Sequence, residues 1–498
     1  MLIRLNRFLD RMSTDSLKSK TQRGLAWNMV ERFATQGVQF LFGIILARIL
    51  SPDDYGIIAM PLIFLAIAQC FIDSGFSTAL IRKQSVNEAD FSTAFYFNIA
   101  VGVLCYAILF FTSPLIAKFY DTPILTDLLK VTALATLFNP LCAVQQAVLT
   151  RKMDFRSQAI ISLVSATVSG GVGVYMAYNG FGVWSLVFQQ VGGYFLRTVF
   201  LWLSVKWRPT TRWSNESFKY LWGFGSKVLV QGLISNIYDN IYPIVIGKVY
   251  NAKDLGNYTR AQQFSKLPSV DISGVLFRVA LPVMSSIQDD DSRLSNVFFR
   301  MIRLAAFCIF PIMLGLSAVA DPMIRVLLTD KWEGCIILLQ LMCFNLMWYP
   351  IHAFNLTILT AKGRSDLTLK LEIIKKVIGI IILIITVPLG IVWMVGGGIV
   401  ATILCLMVNT YYTKQIINIG FFDQMRVLAP LFASSFIMWV VVRIFTKLIV
   451  NDLFALIGGV LIGVFVYLIL SRVFHKTEIL YLKDIIPVSI KNKLHIKE

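Results

Sequence analysis

The chain has 498 residues, of which 57% are hydrophobic and only 15% charged. Soluble domains carry about 25% charged residues, so an ordinary soluble enzyme is excluded. The 46 Lys and Arg against 28 Asp and Glu give a net charge of +18. These cations flank apolar segments and form no continuous basic domain, which excludes a nucleic-acid-binding module and suits anionic membrane lipids instead.

In chain order, residues 1–22 read as a cytoplasmic N-terminal arm. The stretch MLIRLNRFLDRMSTDSLKSK is basic and has no apolar run long enough for a signal peptide. Fourteen apolar stretches follow, each of about 20 residues, enough to cross a hydrocarbon layer of about 30 Å. They lie near 24–47, 55–79, 91–113, 125–149, 158–178, 182–204, 217–248, 255–286, 295–319, 334–359, 369–388, 391–413, 426–446 and 453–473. The seventh, eighth and tenth are interrupted by polar residues. An even number places both termini on one side. Loops on that side hold about three times as many Lys and Arg as the opposite loops, which predicts cytoplasmic N- and C-termini. Asn179-Gly180 and Leu389-Gly390 mark tight turns on the outer side, leaving no room there for a catalytic domain.

An internal repeat organises the chain. ILARILSPDDYG at 45–56 aligns without gaps on VIGKVYNAKDLG at 245–256, pairing Asp54 with Asp254 and Gly56 with Gly256. Six crossings separate the copies, so the two halves have the same orientation. The expected fold is an all-α, polytopic membrane protein with about 14 transmembrane helices: two parallel six-helix lobes, 23–204 and 217–414, joined by a cytoplasmic linker at 205–216. A further helix pair at 415–475 and a cytoplasmic tail at 476–498 complete it. Parallel repeats of this kind sandwich a transport path.

Charged and amide side chains within crossings are costly in lipid and should face protein or water. The first crossing carries Asn28, Glu31, Arg32, Gln36 and Gln39; Glu31, Thr35 and Gln39 share one helical face. The seventh carries Lys227, Gln231, Asn236, Asp239 and Asn240, and the eighth Gln262, Gln263, Asp271 and Arg278. The expectation is that the polar stripes of the two halves face a central aqueous cavity. Arg32, Lys227, Arg278, Gln39, Gln231, Asn236, Gln262 and Gln263 are the candidate substrate-binding residues. Guanidinium geometry suits phosphate, although Arg32 and Lys227 lie close enough to helix ends to snorkel to headgroups, and both readings stay open. Glu31, Asp239 and Asp271 are candidates for coupling to a proton or sodium ion. Arg278 and Asp271, seven residues apart, could pair within their helix. Pro140, Pro243, Pro268, Pro282, Pro311 and Pro350 lie in or near crossings and predict bends. His352 reads as a hydrogen-bonded core residue more readily than as a proton relay.

The sequence contains no nucleotide-binding, hydrolase or metalloprotease motif. Its seven cysteines form no CxxC and have no histidine at ligand spacing, so neither a metal nor a cofactor is expected. The chain reads as a transporter and not as an enzyme.

Several loop and helix stretches carry a family resemblance: ILARILSPDDYGIIAM at 45–60, FIDSGFSTALIRKQ at 71–84, LIAKFYDTPIL at 115–125, QQAVLTRKMDFRSQA at 145–159, GFGVWSLVFQQ at 180–190 and YNAKDLGNYTRAQQFSKLP at 250–268. They resemble the bacterial polysaccharide exporters of the multidrug, oligosaccharidyl-lipid and polysaccharide exporter superfamily, in the branch of colanic acid and teichuronic acid exporters. The resemblance covers roughly residues 20–475. It implies a multi-pass protein of the bacterial inner membrane that works by alternating access. It also implies translocation of an undecaprenyl-diphosphate-linked repeat unit to the outer leaflet, with a polysaccharide polymerase or glycosyltransferase complex as a further partner. The competing readings are a cation-coupled multidrug antiporter of the same fold, a lipid II flippase for cell-wall synthesis, and a non-transporting scaffold of a glycan assembly complex. A membrane-embedded glycosyltransferase is disfavoured by the short loops.

Overall fold

The computed structural model describes residues 17–83 and 85–485. Most of the expected arm 1–22 and of the tail 476–498 therefore lies outside the described residues. Helices occupy all fourteen intervals read from the sequence, and the described residues contain no strand. Nine helical stretches among them are long and apolar enough to cross a membrane. The intervals that fall short include the first, seventh and eighth, where amide and charged side chains interrupt the apolar run.

Local chemistry sets the helix starts. Ser51 accepts from the Asp54 amide at 3.2 Å while Asp54 accepts from the Ser51 amide at 2.9 Å, a reciprocal cap, and Pro52 opens the helix Pro52–Ala59. In the repeat copy, 200 residues on, Asn251 accepts from the Asp254 amide at 2.8 Å. Asn87 and Asp90 form a second reciprocal cap, at 2.9 and 3.0 Å, for the helix Glu88–Phe119. The expected outer turns are present: Gly180 and Gly390 adopt φ of +80° and +103°, which glycine reaches without Cβ strain. Proline explains the helix breaks. Interruptions at Ala133–Leu134, Asn240 and Met347–Trp348 fall within two turns before Pro140, Pro243 and Pro350, and a π-helical turn, Leu267–Asp271, contains Pro268.

The chain divides into two compact units, residues 1–256 and 257–498. In the first, the helix Phe155–Tyr178 packs against Leu17–Ile49 and Trp184–Ser204. Small residues permit the approach: a Cβ on Gly170 would lie 2.4 Å from the Phe42 ring, and one on Gly173 would lie 2.9 Å from Gln189. The segment 205–214 is non-helical, and the helix Asn215–Asp239 then packs within this unit on Leu62–Asp73, Phe76–Arg82 and Glu88–Phe119. Phe76 holds it there, stacked on Phe97 at 4.5 Å and meeting Phe218 and Trp222. The two repeat segments also touch inside this unit, and they do so reciprocally. A Cβ on Gly56 would lie 1.7 Å from the Ala252 carbonyl oxygen, and one on Gly256 would lie 1.9 Å from that of Pro52. Because 52 pairs with 252 and 56 with 256 in the alignment, this is the contact pattern of a two-fold relation.

The second unit is built on Asp291–Ala318, which packs against Glu333–Leu346, Tyr349–Ala361 and Phe421–Leu448. Its buried face carries Leu294, Phe298, Ile302, Ala305, Ile309 and Met313. Several polar side chains in the interior bond one another. Asn355 and Gln424 exchange amide hydrogen bonds at 2.9 and 3.0 Å, Thr413 donates to Asn355 at 2.7 Å, and His352 bonds Asn409 at 3.0 Å.

Candidate functional site

Among the described residues, the polar side chains expected from the sequence take half-buried and exposed positions. The side chains of Asn28, Arg32, Asp271 and Arg278 lie outside the described residues. Glu31 is half-buried and accepts a hydrogen bond from Ser162 at 2.9 Å, tying the first crossing to the fifth. Gln39, Lys227 and Gln231 are exposed on their helices. Asp239 is likewise exposed. Asn236 donates to the Cys70 sulfur at 3.0 Å. Gln262 donates to the Tyr258 hydroxyl at 3.4 Å, and Gln263 accepts from Arg260.

Instead, the first unit forms a cleft of about 450 Å³ between Leu62–Asp73, Phe76–Arg82, Ala135–Arg151 and Asn215–Asp239. Its polar lining is Asp73, Ser77, Thr78, Asn139, Gln146 and Thr150. Backbone geometry creates it: Ser74 and Gly75 take φ of +38° and +67°, breaking the second crossing beside Asp73. Opposite them Gly225 lets its helix come so near that a Cβ there would lie 2.3 Å from the Ser74 carbonyl oxygen, and Val228, Leu229 and Gly232 of that helix form the facing wall. Lys83 and the fully buried Asp90, 2.7 Å apart, anchor the far end of Phe76–Arg82, and Arg151 donates to the carbonyls of Leu80 and Lys83 at 2.6 and 2.7 Å.

The amides are pre-oriented. Arg197 donates to Gln146 Oε1 at 2.8 Å, so the Gln146 carbonyl faces the guanidinium and its NH₂ is left as a donor. Gln158 donates to Thr150 Oγ1 at 2.9 Å, and Thr150 in turn donates to the main-chain carbonyl of Gln146 at 2.9 Å. Asn236 reaches the wall through Cys70. The cleft thus offers amides, hydroxyls and one carboxylate, with a cation held behind Gln146. That set suits hydroxyl-rich groups, since each donor and acceptor can be matched in a desolvated site.

Sequence reasoning did not assign Asp73 or Arg197 to a site. The available signals were that Asp73 is the sole carboxylate between residues 55 and 79, and that Arg197 lies well inside an apolar helix. Gln146, which lies in the family-like stretch 145–159, is a cleft residue as well. No group of three or more potential metal ligands occurs among the described residues.

A family model described as "Polysaccharide biosynthesis protein" matches residues 45–337. The chain belongs to that family. Among its curated relatives is the "Teichuronic acid biosynthesis protein TuaB" of Bacillus subtilis, 26% identical over 354 residues, which are 71% of this chain and 73% of that protein. Another is the "Lipopolysaccharide biosynthesis protein WzxC" of Escherichia coli, 24% identical over 370 residues, 72% of this chain and 74% of that one. Among solved structures, "Lipid II flippase MurJ, inward closed conformation" superposes with a TM-score of 0.73 at 18% identity, covering 91% of this chain and all of that one. The polysaccharide biosynthesis protein described here therefore has the fold of that flippase. The family resemblance read from its loop motifs holds.

Proposed function

We propose that this protein moves an undecaprenyl-diphosphate-linked oligosaccharide repeat unit from the inner to the outer leaflet of a bacterial cytoplasmic membrane, by alternating access and without covalent chemistry. The observation that carries this reading is an amide- and hydroxyl-lined cleft inside the membrane-spanning helices of a polysaccharide biosynthesis family member. A hydrated glycan cannot cross hydrocarbon, because burying its hydroxyls without partners costs several kcal/mol per group. Thr78, Asn139, Gln146 and Thr150 replace those lost water contacts, and the polyprenyl tail stays in lipid.

In this scheme Arg32, Lys227 and Arg278 meet the diphosphate, and Gln39, Gln231, Asn236, Gln262 and Gln263 extend the polar path. Glu31, Asp239 and Asp271 carry the coupling ion. The topology is fourteen crossings with both termini cytoplasmic, arranged as lobes 23–204 and 217–414 and the pair 415–475. The reciprocal contact of 52–56 with 252–256 supports parallel repeats. A polymerase or glycosyltransferase complex receives the product.

The test is glycosidase- or lectin-accessible translocation of a fluorescent lipid-linked oligosaccharide in proteoliposomes. Wild-type vesicles should flip it well above empty vesicles; equal rates would overturn the proposal. One observation favours a second reading, a cation-coupled antiporter: Asp73 is the charged side chain lining the cleft, and a carboxylate suits an organic cation. Gradient-driven uptake of such a cation, abolished by Asp73→Asn, would select that reading.

A further inference from the structure

A second recess, of about 540 Å³, lies in the second unit and is unlike the first. It sits where Asp291–Ala318 meets Phe421–Leu448 and Lys476–Ile485. Arg293, Arg300 and Arg303 line it, with Asn296, Val427 and Tyr481. The arginines are seven and three residues apart, so they share one helical face and descend about 15 Å along it at 1.5 Å per residue.

Among the described residues none that lines the recess is acidic. Asp291 pairs with Lys362 at 2.5 Å, Asp290 accepts from the Arg293 amide at 2.9 Å as a cap, and Asp423 accepts from the Gly420 amide at 2.8 Å. The guanidinium of Arg300 lies 4.3 Å from the centre of the Tyr481 ring, which fixes its plane. Arg303 Nε is buried and has no hydrogen-bond partner among the described residues. A buried donor without an acceptor is costly, and convergent cations in a walled recess concentrate positive potential.

We propose that this recess binds the phosphate group of an anionic lipid or a free phosphate ion. Tetrahedral oxygens accept from forked guanidinium donors, and Arg303 Nε gains the acceptor it lacks. Val297, Phe299 and Val427 add an apolar flank beside the cations, which suits the start of a lipid's glycerol and acyl region. The recess shares no lining residue with the first-unit cleft.

The test uses the full chain, purified and delipidated, with bound lipid counted by native mass spectrometry. The probes are phosphatidylglycerol, zwitterionic phosphatidylcholine and inorganic phosphate. Wild type should retain phosphatidylglycerol at least tenfold over phosphatidylcholine. The double variant Arg293→Gln/Arg303→Gln should lose that preference. Val427→Trp, which fills the recess and leaves every charge in place, should lose it too, so a folding defect in the arginine variant does not end the test. Displacement by millimolar phosphate identifies the ion itself as ligand, and resistance to displacement identifies the lipid headgroup. Unchanged retention in Val427→Trp and in a folded arginine variant would overturn the proposal.

Discussion

The two recesses of this molecule have opposite chemistry. The first-unit cleft presents amides, hydroxyls and Asp73, and the Arg197 guanidinium is spent on orienting Gln146. The second-unit recess presents three arginines and, among the described residues, no acid. The difference separates two recognition tasks that a lipid-linked glycan or a lipid environment imposes. Hydroxyls need matched donors and acceptors in a shaped site, whereas phosphate needs convergent positive charge.

The comparison breaks most severely at Gly225. Gly225→Ala puts a methyl group against the Ser74 carbonyl, forces the facing helix away and opens the first cleft. The expected cost is about 2–3 kcal/mol, read as a lowered thermal unfolding midpoint, together with loss of transport. An unshifted midpoint would show that the helices are not in backbone contact.

Gln146→Leu removes a cleft amide and strands the Arg197 guanidinium, at a cost of about 1–3 kcal/mol. The double variant Gln146→Leu/Arg197→Leu should recover most of the stability and none of the transport. Recovered transport would mean that Gln146 serves only to satisfy Arg197.

The second recess is sharpened by pH, because the helix that supplies Tyr481 begins beside His475. That imidazole is 2% exposed, bonds Ser434 at 2.9 Å and meets the edge of Phe307. Burial pushes its pKa below the usual 6.5, against the opposing pull of Glu478. A histidine depressed in the folded state contributes its full stability above about pH 6.5 and loses it as pH falls through the lowered value. Hydrogen exchange in 476–485 should therefore quicken between pH 7.5 and 5.5 in wild type, and His475→Asn should flatten that dependence. A pH-independent wild type would contradict the account.

The smallest effect is expected at Arg325, which lines neither recess. Arg325 bridges Asp321, Asp330 and Glu333 at 2.8, 2.7 and 3.3 Å, but these groups are partly or largely exposed. Arg325→Gln should cost under about 1 kcal/mol by thermal unfolding and leave both recesses unaffected.

These contrasts also show what the sequence made legible. Helix positions followed from apolar runs, and the turns at Gly180 and Gly390 from their glycines. The repeat was visible at Asp54 and Asp254, and its structural counterpart is the matching caps at Ser51 and Asn251 with the reciprocal glycine contact. The cleft was hidden because its partners are remote in sequence. Arg197 and Gln146 are 51 residues apart, and Glu31 and Ser162 are 131 apart. Periodicity places a residue on a helix face but does not say which helix lies opposite. For that reason Lys227 and Gln231 could be placed on a polar stripe, while Gly232, one residue on, could not be recognised as lining the cleft.

The central claim is that the sugar is held in the first-unit cleft. The direct measurement is photo-crosslinking of a diazirine-bearing lipid-linked oligosaccharide to the reconstituted protein, followed by peptide mapping. Adducts should fall within 70–81, 139–150 and 228–232 and disappear in the Gln146→Leu/Arg197→Leu variant. Adducts confined to other helices, or unaltered in that variant, would contradict the account.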